Sequence, residues 1–364
     1  MPVARWIRRL CFAAALLCFG VVVLGAYVRL TAAGLGCPDW PGCYGELTPA
    51  GVQHNPGAQA AYATRPLEPG KAWREMIHRY AVGTLSVLVI LIAALAIGTR
   101  RQRLLSVPYA LVLLAILIVQ ALLGMLTVTW QLNPLIVTLH LLFGMTTLGL
   151  LWWLTLSLPP GSPVAPALRS VGRGPGSGVW PPTSAWPLAL VGLAALAVQI
   201  ALGGWTSSNY ADVACPDFPT CQAAWWPHAD FRHAFVLWHS LNINYEGGVL
   251  ANPARVAIHF THRLGALVTT VALSLAALTA LRERAPAGVR AAAWAVLTAL
   301  ALQLLIGVWM VLRAFPLWLA TAHTAGAALL LLAALALLRS LRSSRAPGTP
   351  REARAGDERR AGIC

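Results

Sequence analysis

Charge is what this chain lacks. Of its 364 residues, 11% are Asp, Glu, Lys or Arg, less than half of the roughly 25% typical of soluble domains. Acids are scarcer than bases, 12 against 27, which leaves a formal net charge of +15. Such an excess could suggest nucleic acid. The basic residues, however, lie in short loops and at the chain ends, where the positive-inside rule places them, so nucleic-acid binding is excluded. Cysteine is sparse too: there are seven, and no two have the Cys-x-x-Cys spacing of a redox dithiol or a zinc finger. What remains is apolar. The chain is 58% hydrophobic with mean hydropathy +0.66, which describes a polytopic membrane protein long enough for about eight spans.

The first nine residues carry Arg5, Arg8 and Arg9, and an apolar run follows from Leu10 to about Val28. It is nearly twenty residues long and no convincing small-x-small cleavage site ends it, so it reads as an uncleaved helix rather than a signal peptide. Further spans are expected at about 76–98, 104–128, 134–157, 185–205, 256–281, 291–313 and 316–338. Residues 158–183 are rich in Pro, Gly and Ser, with Arg169 and Arg173, and read as a linker. Residues 339–364 form a basic tail. The arginines at 100, 101 and 103, the linker, the Arg282/Arg284/Arg290 turn and the tail all belong on the cytoplasmic side. Eight spans with both termini cytoplasmic satisfy all of these. The long loops 31–75 and 206–255 then lie outside, in an oxidising compartment.

The chain repeats itself. Cys37-Pro-Asp-Trp-Pro-Gly-Cys43 recurs as Cys215-Pro-Asp-Phe-Pro-Thr-Cys221, and Gly25 and Gly203 each precede the first cysteine by twelve positions. His78-Arg79 recurs as His262-Arg263, Gln120 with Gly124 as Gln303 with Gly307, and His140 as His323. The expected fold is therefore all-α and integral to the membrane: two tandem four-helix bundles related by a pseudo-two-fold axis along the membrane normal. The N-terminal half is 1–157 and the C-terminal half 184–338.

Two prolines inside each Cys-x5-Cys loop favour a tight turn, so a disulfide is expected within each pair. Cys11, Cys18 and Cys364 read as inert thiols, and His54, His228, His233 and His239 as surface histidines. The other histidines lie at the membrane. His78 and His140 fall at similar depth on two helices, and so do His262 and His323. Two imidazoles facing each other at one level of a four-helix bundle are what a bis-histidine heme requires. Arg79 and Arg263 adjoin these histidines, where they could pair with heme propionates or simply snorkel. The repeat fails at one position: Glu75, one helical turn before His78, is matched by His259. His259 competes with His262 for the role of ligand, and the shared His-Arg dipeptide favours His262. An acid beside one site alone points to chemistry in the first half, with Glu75 as proton acceptor.

With these motifs the sequence resembles the heme A synthase family. The likeness rests on Gly34 to Cys43, on Glu75-x-x-His78-Arg79 and on His262-Arg263-Leu264, and it covers nearly the whole chain outside the linker and tail. The resemblance implies oxidation of a ring methyl of heme O to a formyl group, giving heme A. It implies that His78 and His140 flank the substrate heme, with Glu75 as the acid beside it. His262 and His323 would hold a resident heme b, and Cys37–Cys43 and Cys215–Cys221 would be outer disulfides. The partners it implies are membrane lipid and the enzyme that supplies heme O; the electron acceptor is unspecified, and a homo-oligomer is compatible with the pattern. Two other classes fit the histidines alone, a diheme b-type electron-transfer cytochrome and a heme transporter or chaperone. Glu75 favours the enzyme, because an electron carrier has no use for a single asymmetric acid.

Overall fold

The computed structural model describes residues 2–102, 104–158, 184–282 and 285–345. Most of the expected linker, including Arg169 and Arg173, the tail beyond Arg345 with Cys364, and Arg103 and Arg284 lie outside the described residues. Eight helices are long and apolar enough to cross a membrane: α1 (Pro2–Leu30), α2 (Pro69–Gly98), α3 (Val107–Thr129), α4 (Pro134–Ser157), α5 (Ala185–Ser208), α6 (Asn252–Arg282), α7 (Ala287–Leu312) and α8 (Leu317–Arg345). Among the described residues there is no strand, only two isolated bridges, Cys43 with Glu46 and Cys221 with Ala224. The protein is a multi-pass all-helical membrane protein. Helix is the expected answer in hydrocarbon, where every backbone N–H and C=O must be paired within its own segment.

The helix starts are set by local chemistry rather than by hydropathy. Proline opens α2, α3 and α4 within the first turn, where its missing N–H costs nothing and its fixed φ suits the helix. The Asn133 side chain caps α4 by accepting from Leu135 N at 3.1 Å. This moves one expected boundary appreciably. α2 begins at Pro69 rather than near 76, because a proline start and polar first turns continue the helix beyond the apolar stretch. Glu75 and His78 therefore lie well inside a helix rather than at its lip. α8 likewise runs on to Arg345, past the expected end near 338.

Each half closes as a ring. α1 packs on α2 and α4, and α3 on α2 and α4; α5 packs on α6 and α8, and α7 on α6 and α8. Between the halves, α1 meets α8, α4 meets α5, and α4 meets α8. Exchanging α1 with α5 and α4 with α8 maps this contact set onto itself, consistent with the expected pseudo-two-fold. Small residues allow the close approach that lipid-embedded helices need. A Cβ added to Gly204 of α5 would lie 3.0 Å from Leu141 Cδ2 of α4. Beside it Thr138 and Ser208 share a hydroxyl hydrogen bond of 3.2 Å, and Trp152 Nε1 donates to Leu332 O at 3.0 Å. Cys11 and Cys18 are buried in the common core.

The two cysteine loops are built alike. Both disulfides are formed, Cys37–Cys43 and Cys215–Cys221. The aspartate inside each motif caps the turn that follows. Asp39 accepts from Tyr44 N at 2.6 Å and Gly45 N at 2.7 Å. Asp217 accepts from Gln222 N at 2.7 Å and Ala223 N at 3.0 Å, and from the Thr220 hydroxyl. Tyr44, Gln222 and Ala223 all have positive φ, a conformation that such side-chain bonds help to hold. The Thr220 hydroxyl, with the N–H groups of Ala223 and Gln222, keeps the Asp217 carboxyl below its ordinary value of 3.8.

A folded-state pKa below the unfolded one stabilises the loop above the unfolded value, and the stabilisation disappears as the pH falls through the folded value. Asp217→Ala should therefore speed reduction of Cys215–Cys221 by a water-soluble thiol several-fold at neutral pH, as measured by alkylation and mass spectrometry. Wild-type and variant should converge in stability at a pH well below 3.8.

Candidate functional site

The site begins where the loops meet the helices. Arg79 of α2 donates from Nη1 to Asp39 O (2.9 Å), to Pro41 O (3.2 Å) and to Gly42 O, and its Nη2 pairs with Glu75. Glu75 is 5% exposed and accepts from Cys37 N at 2.8 Å. Arg263 of α6 does the same for the second loop, donating to Thr220 O at 2.7 Å and to Cys215 O at 2.9 Å. Each arginine thus ties its disulfide loop down onto its own half. The symmetry is incomplete at Glu75. Its counterpart His259 is 4% exposed, bonds through Nδ1 to Ala211 O at 3.1 Å and lies edge-on to Phe315. His259 is therefore held by the loop, while His262 takes the position that corresponds to His78.

The four remaining membrane histidines share one environment. Each ring lies against a glycine of the neighbouring helix. A Cβ placed on Gly25 would sit 3.0 Å from His78 Nε2, and one on Gly124 would sit 3.2 Å from His140 Cε1. The second half repeats this: Gly203 with His262 Cε1 at 3.1 Å, and Gly307 with His323 Cε1 at 3.0 Å. Any larger residue would push the ring away. The repeated glycines of the sequence are thus seats for imidazoles. His140 lies within charge–charge range of His78, and His262 within that of His323.

All four rings, with Glu75, line a single cavity of about 1370 Å³ that spans both halves. A single ligand site is usually about 300–1,000 Å³, so there is room for more than one large flat molecule. The donor set at each level is two imidazoles. Among the described residues no three His, Cys, Asp or Glu side chains cluster as a metal-ion site would require. The buried Nδ1 atoms of His140 and His323 have no protein partner, and neither do the amide oxygens of Gln120, Gln199 and Gln303. A mostly apolar slot, paired imidazoles and unpaired polar atoms beside them fit a bis-histidine heme.

His259 also lines this cavity, but the four histidines of the outer loops do not. His54, His228 and His233 are exposed. His239 is only half-buried, with its ring stacked on Trp205. Two groups escape a reading of the sequence. Gln199 contacts His262, and no repeat partner marks it, because Val21 stands at the matching position of α1. Arg29 of α1 crosses to the other half, donating to Ser207 O at 2.7 Å and lying 4.0 Å from the Tyr210 ring. Burial pushes the carboxyl of nearby Asp212 up, against the pull of Arg29. In the sequence Arg29 is simply a basic residue at the end of an apolar run, with nothing to mark a contact to the other half.

An eight-helix membrane protein with two paired-imidazole sites in one cavity is a restricted class. Residues 8–335 match the model of the COX15-CtaA family, the cytochrome oxidase assembly proteins, and the chain belongs to that family. It is 39% identical over 330 residues to the heme A synthase of Shewanella oneidensis, covering 90% of this chain and 93% of that one. Against the heme A synthase of Caulobacter vibrioides the identity is 29% over 357 residues, covering 92% and 94%. Against that of Halalkalibacterium halodurans it is 26% over 269 residues, covering 72% of each.

Overpacking a helix contact costs about 1–3 kcal/mol and, at a glycine seat, must move the ring. If His262 and His323 hold a heme, Gly307→Val should remove its low-spin bis-imidazole absorption spectrum. Gly20→Val, whose Cβ would meet nothing within 4 Å, should leave that spectrum unchanged.

Proposed function

We propose that this chain is a heme A synthase that oxidises a ring methyl of heme O to a formyl group through hydroxylated intermediates. The observation that carries this reading is the pairing of four seated histidines in one cavity with a buried acid one turn before the histidine in the first half, Glu75 at His78, where the second half has His259 at His262. His78 and His140 would hold the substrate heme in residues 1–157. His262 and His323 would hold a resident heme b in residues 184–338. The hemes, when bound, supply the iron redox chemistry. The protein supplies position and proton handling. The imidazoles would hold and orient the macrocycle, and the apolar walls would limit bulk water around it. Arg79 and Arg263 line the same cavity, where they can meet propionate carboxylates without leaving the loop carbonyls.

Each hydroxylation would place an oxygen atom from water on the methyl carbon and release two electrons and two protons, and loss of water from the twice-hydroxylated carbon would leave the formyl group. Glu75 is the group placed to take a proton. Its carboxylate is oriented by Arg79 and Cys37 N, and it lies one turn from His78. The electrons would leave to a membrane electron acceptor, and a heme held by His262 and His323 would supply a relay for them. The cysteine loops would face outside and the termini the cytoplasm, with heme O delivered through the membrane by the enzyme that makes it.

The test is to purify the protein from cells that supply heme O, extract the hemes and weigh them. The wild type should carry heme b together with heme A or its hydroxylated precursor. In Glu75→Gln, heme O should accumulate and oxidised product should fall by about a hundredfold or more, the usual weight of a general base. Heme b alone in both proteins would overturn the proposal.

A further inference from the structure

The four histidine seats are not equally furnished. In the second half each seat has a glutamine one turn before its glycine. Gln199 of α5 donates from Nε2 to His262 O at 3.0 Å, and the same nitrogen lies 3.1 Å from the ring Nδ1. Gln303 of α7 donates to His323 O at 3.1 Å and lies 3.3 Å from the ring Nε2. Both amides are seated in turn. A Cβ on Gly265 would collide with Gln199 Oε1, and one on Gly326 with Gln303 Oε1. Gly265 and Gly326 each follow their histidine by three residues. Glutamine, seat glycine, histidine and cradle glycine therefore form a unit that occurs at both second-half ligands.

In the first half the unit is broken. Val21 replaces Gln199 and Ala81 replaces Gly265, so no side-chain amide from the matching position reaches the His78 carbonyl. At the other ligand, Gln120 reaches only the His140 ring, at 3.5 Å. Phe143 replaces Gly326, and the amide rests instead against Gly144, whose Cβ would be 3.2 Å from Gln120 Nε2. Tethering the main-chain carbonyl of a ligand residue to the next helix fixes both the rotation of its helix and the direction of its ring. A carbonyl already in the helix ladder has a second lone pair for this bond. Partners of this kind typically alter affinity for the bound metal by about 10–100-fold.

We propose that Gln199 and Gln303 are positioning residues that fasten His262 and His323 as a permanent axial pair. Val21, in the place of Gln199, leaves His78 as the yielding ligand of the first pair. The inference rests on the two-heme reading above and adds to it a physical reason why one heme stays and the other passes through. A resident cofactor must not leave, whereas a substrate heme must enter and its product must depart.

The test uses the purified full-length protein with its hemes and follows two properties besides activity. One is the rate at which each heme is lost to apomyoglobin; the other is carbon monoxide binding by the reduced protein, which requires an axial ligand to let go. Gln199→Val and Gln303→Leu should lose heme b about 10–100-fold faster than wild type, and their reduced heme b should bind carbon monoxide where wild type does not. The reverse change, Val21→Gln with Ala81→Gly, adds the tether and should slow loss of heme A from the first site by a similar factor. This arm decides the matter if a glutamine variant fails to fold. Wild-type rates in all three proteins would overturn the proposal. A His262→Ala control separates the two levels of inference. If that protein keeps heme b at full occupancy, the site assignment has failed; if it loses heme b while the glutamine variants behave as wild type, only the role of the glutamines has failed.

Discussion

The structure depends on one contact made four times: an imidazole ring packed against a glycine of the next helix. Without a Cβ, Gly25, Gly124, Gly203 and Gly307 let the rings of His78, His140, His262 and His323 approach to about van der Waals distance of the backbone. In lipid, helices are not driven together by exclusion of water, so such close contacts determine which helices pair and in what register. The pairs seated this way, α1 with α2, α3 with α4, α5 with α6 and α7 with α8, are all neighbours in the two rings. The same contacts aim every ring into the shared cavity. The residues that set the packing are thus the ones that would ligate a heme.

The outer loops complete the enclosure. Each disulfide closes a short turn, its aspartate caps that turn, and an arginine from the helix below holds its carbonyls. These interactions are ordered from the sequence upward: the Cys-Pro-Asp motif makes the turn, and the turn presents carbonyls to Arg79 or Arg263. Glu75 is part of this framework as well as of the site, since it bonds Cys37 N and Arg79 together. The geometry therefore couples the loop to the acid, so that a change in the loop moves the carboxylate. In the second half His259 makes the corresponding loop contact without supplying an acid.

Much of this was legible in the residues. Eight apolar runs, the repeat and the arginine pattern were enough for the number of helices, and motif spacing singled out the four histidines and both disulfides. Hydropathy located where each helix is apolar, but not where it begins; Pro69 and the polar turn after it put Glu75 and His78 deeper in α2 than the apolar run suggested. The repeated glycines were visible as markers, yet their purpose was not, because a seat is a relation between two helices and a single sequence contains only one partner at a time. Gln199 was missed for the opposite reason. A repeat search rewards matches, and Gln199 matters because its counterpart, Val21, differs. Arg79 and Arg263 adjoin His78 and His262 in the sequence, but their bonds to the loop carbonyls could not be read from position alone.

The central claim is that two chemically similar sites share one cavity and are unequal, with the first for substrate and the second for a resident heme. Single-ligand variants with quantified heme content test it most directly. When heme O is supplied, His262→Ala and His323→Ala should lose heme b while heme O still enters the first site unconverted. His78→Ala and His140→Ala should keep heme b and lose heme O and heme A. Loss of the same heme from all four variants would contradict two separate sites, and loss of heme b from the His78 or His140 variants alone would contradict their assignment.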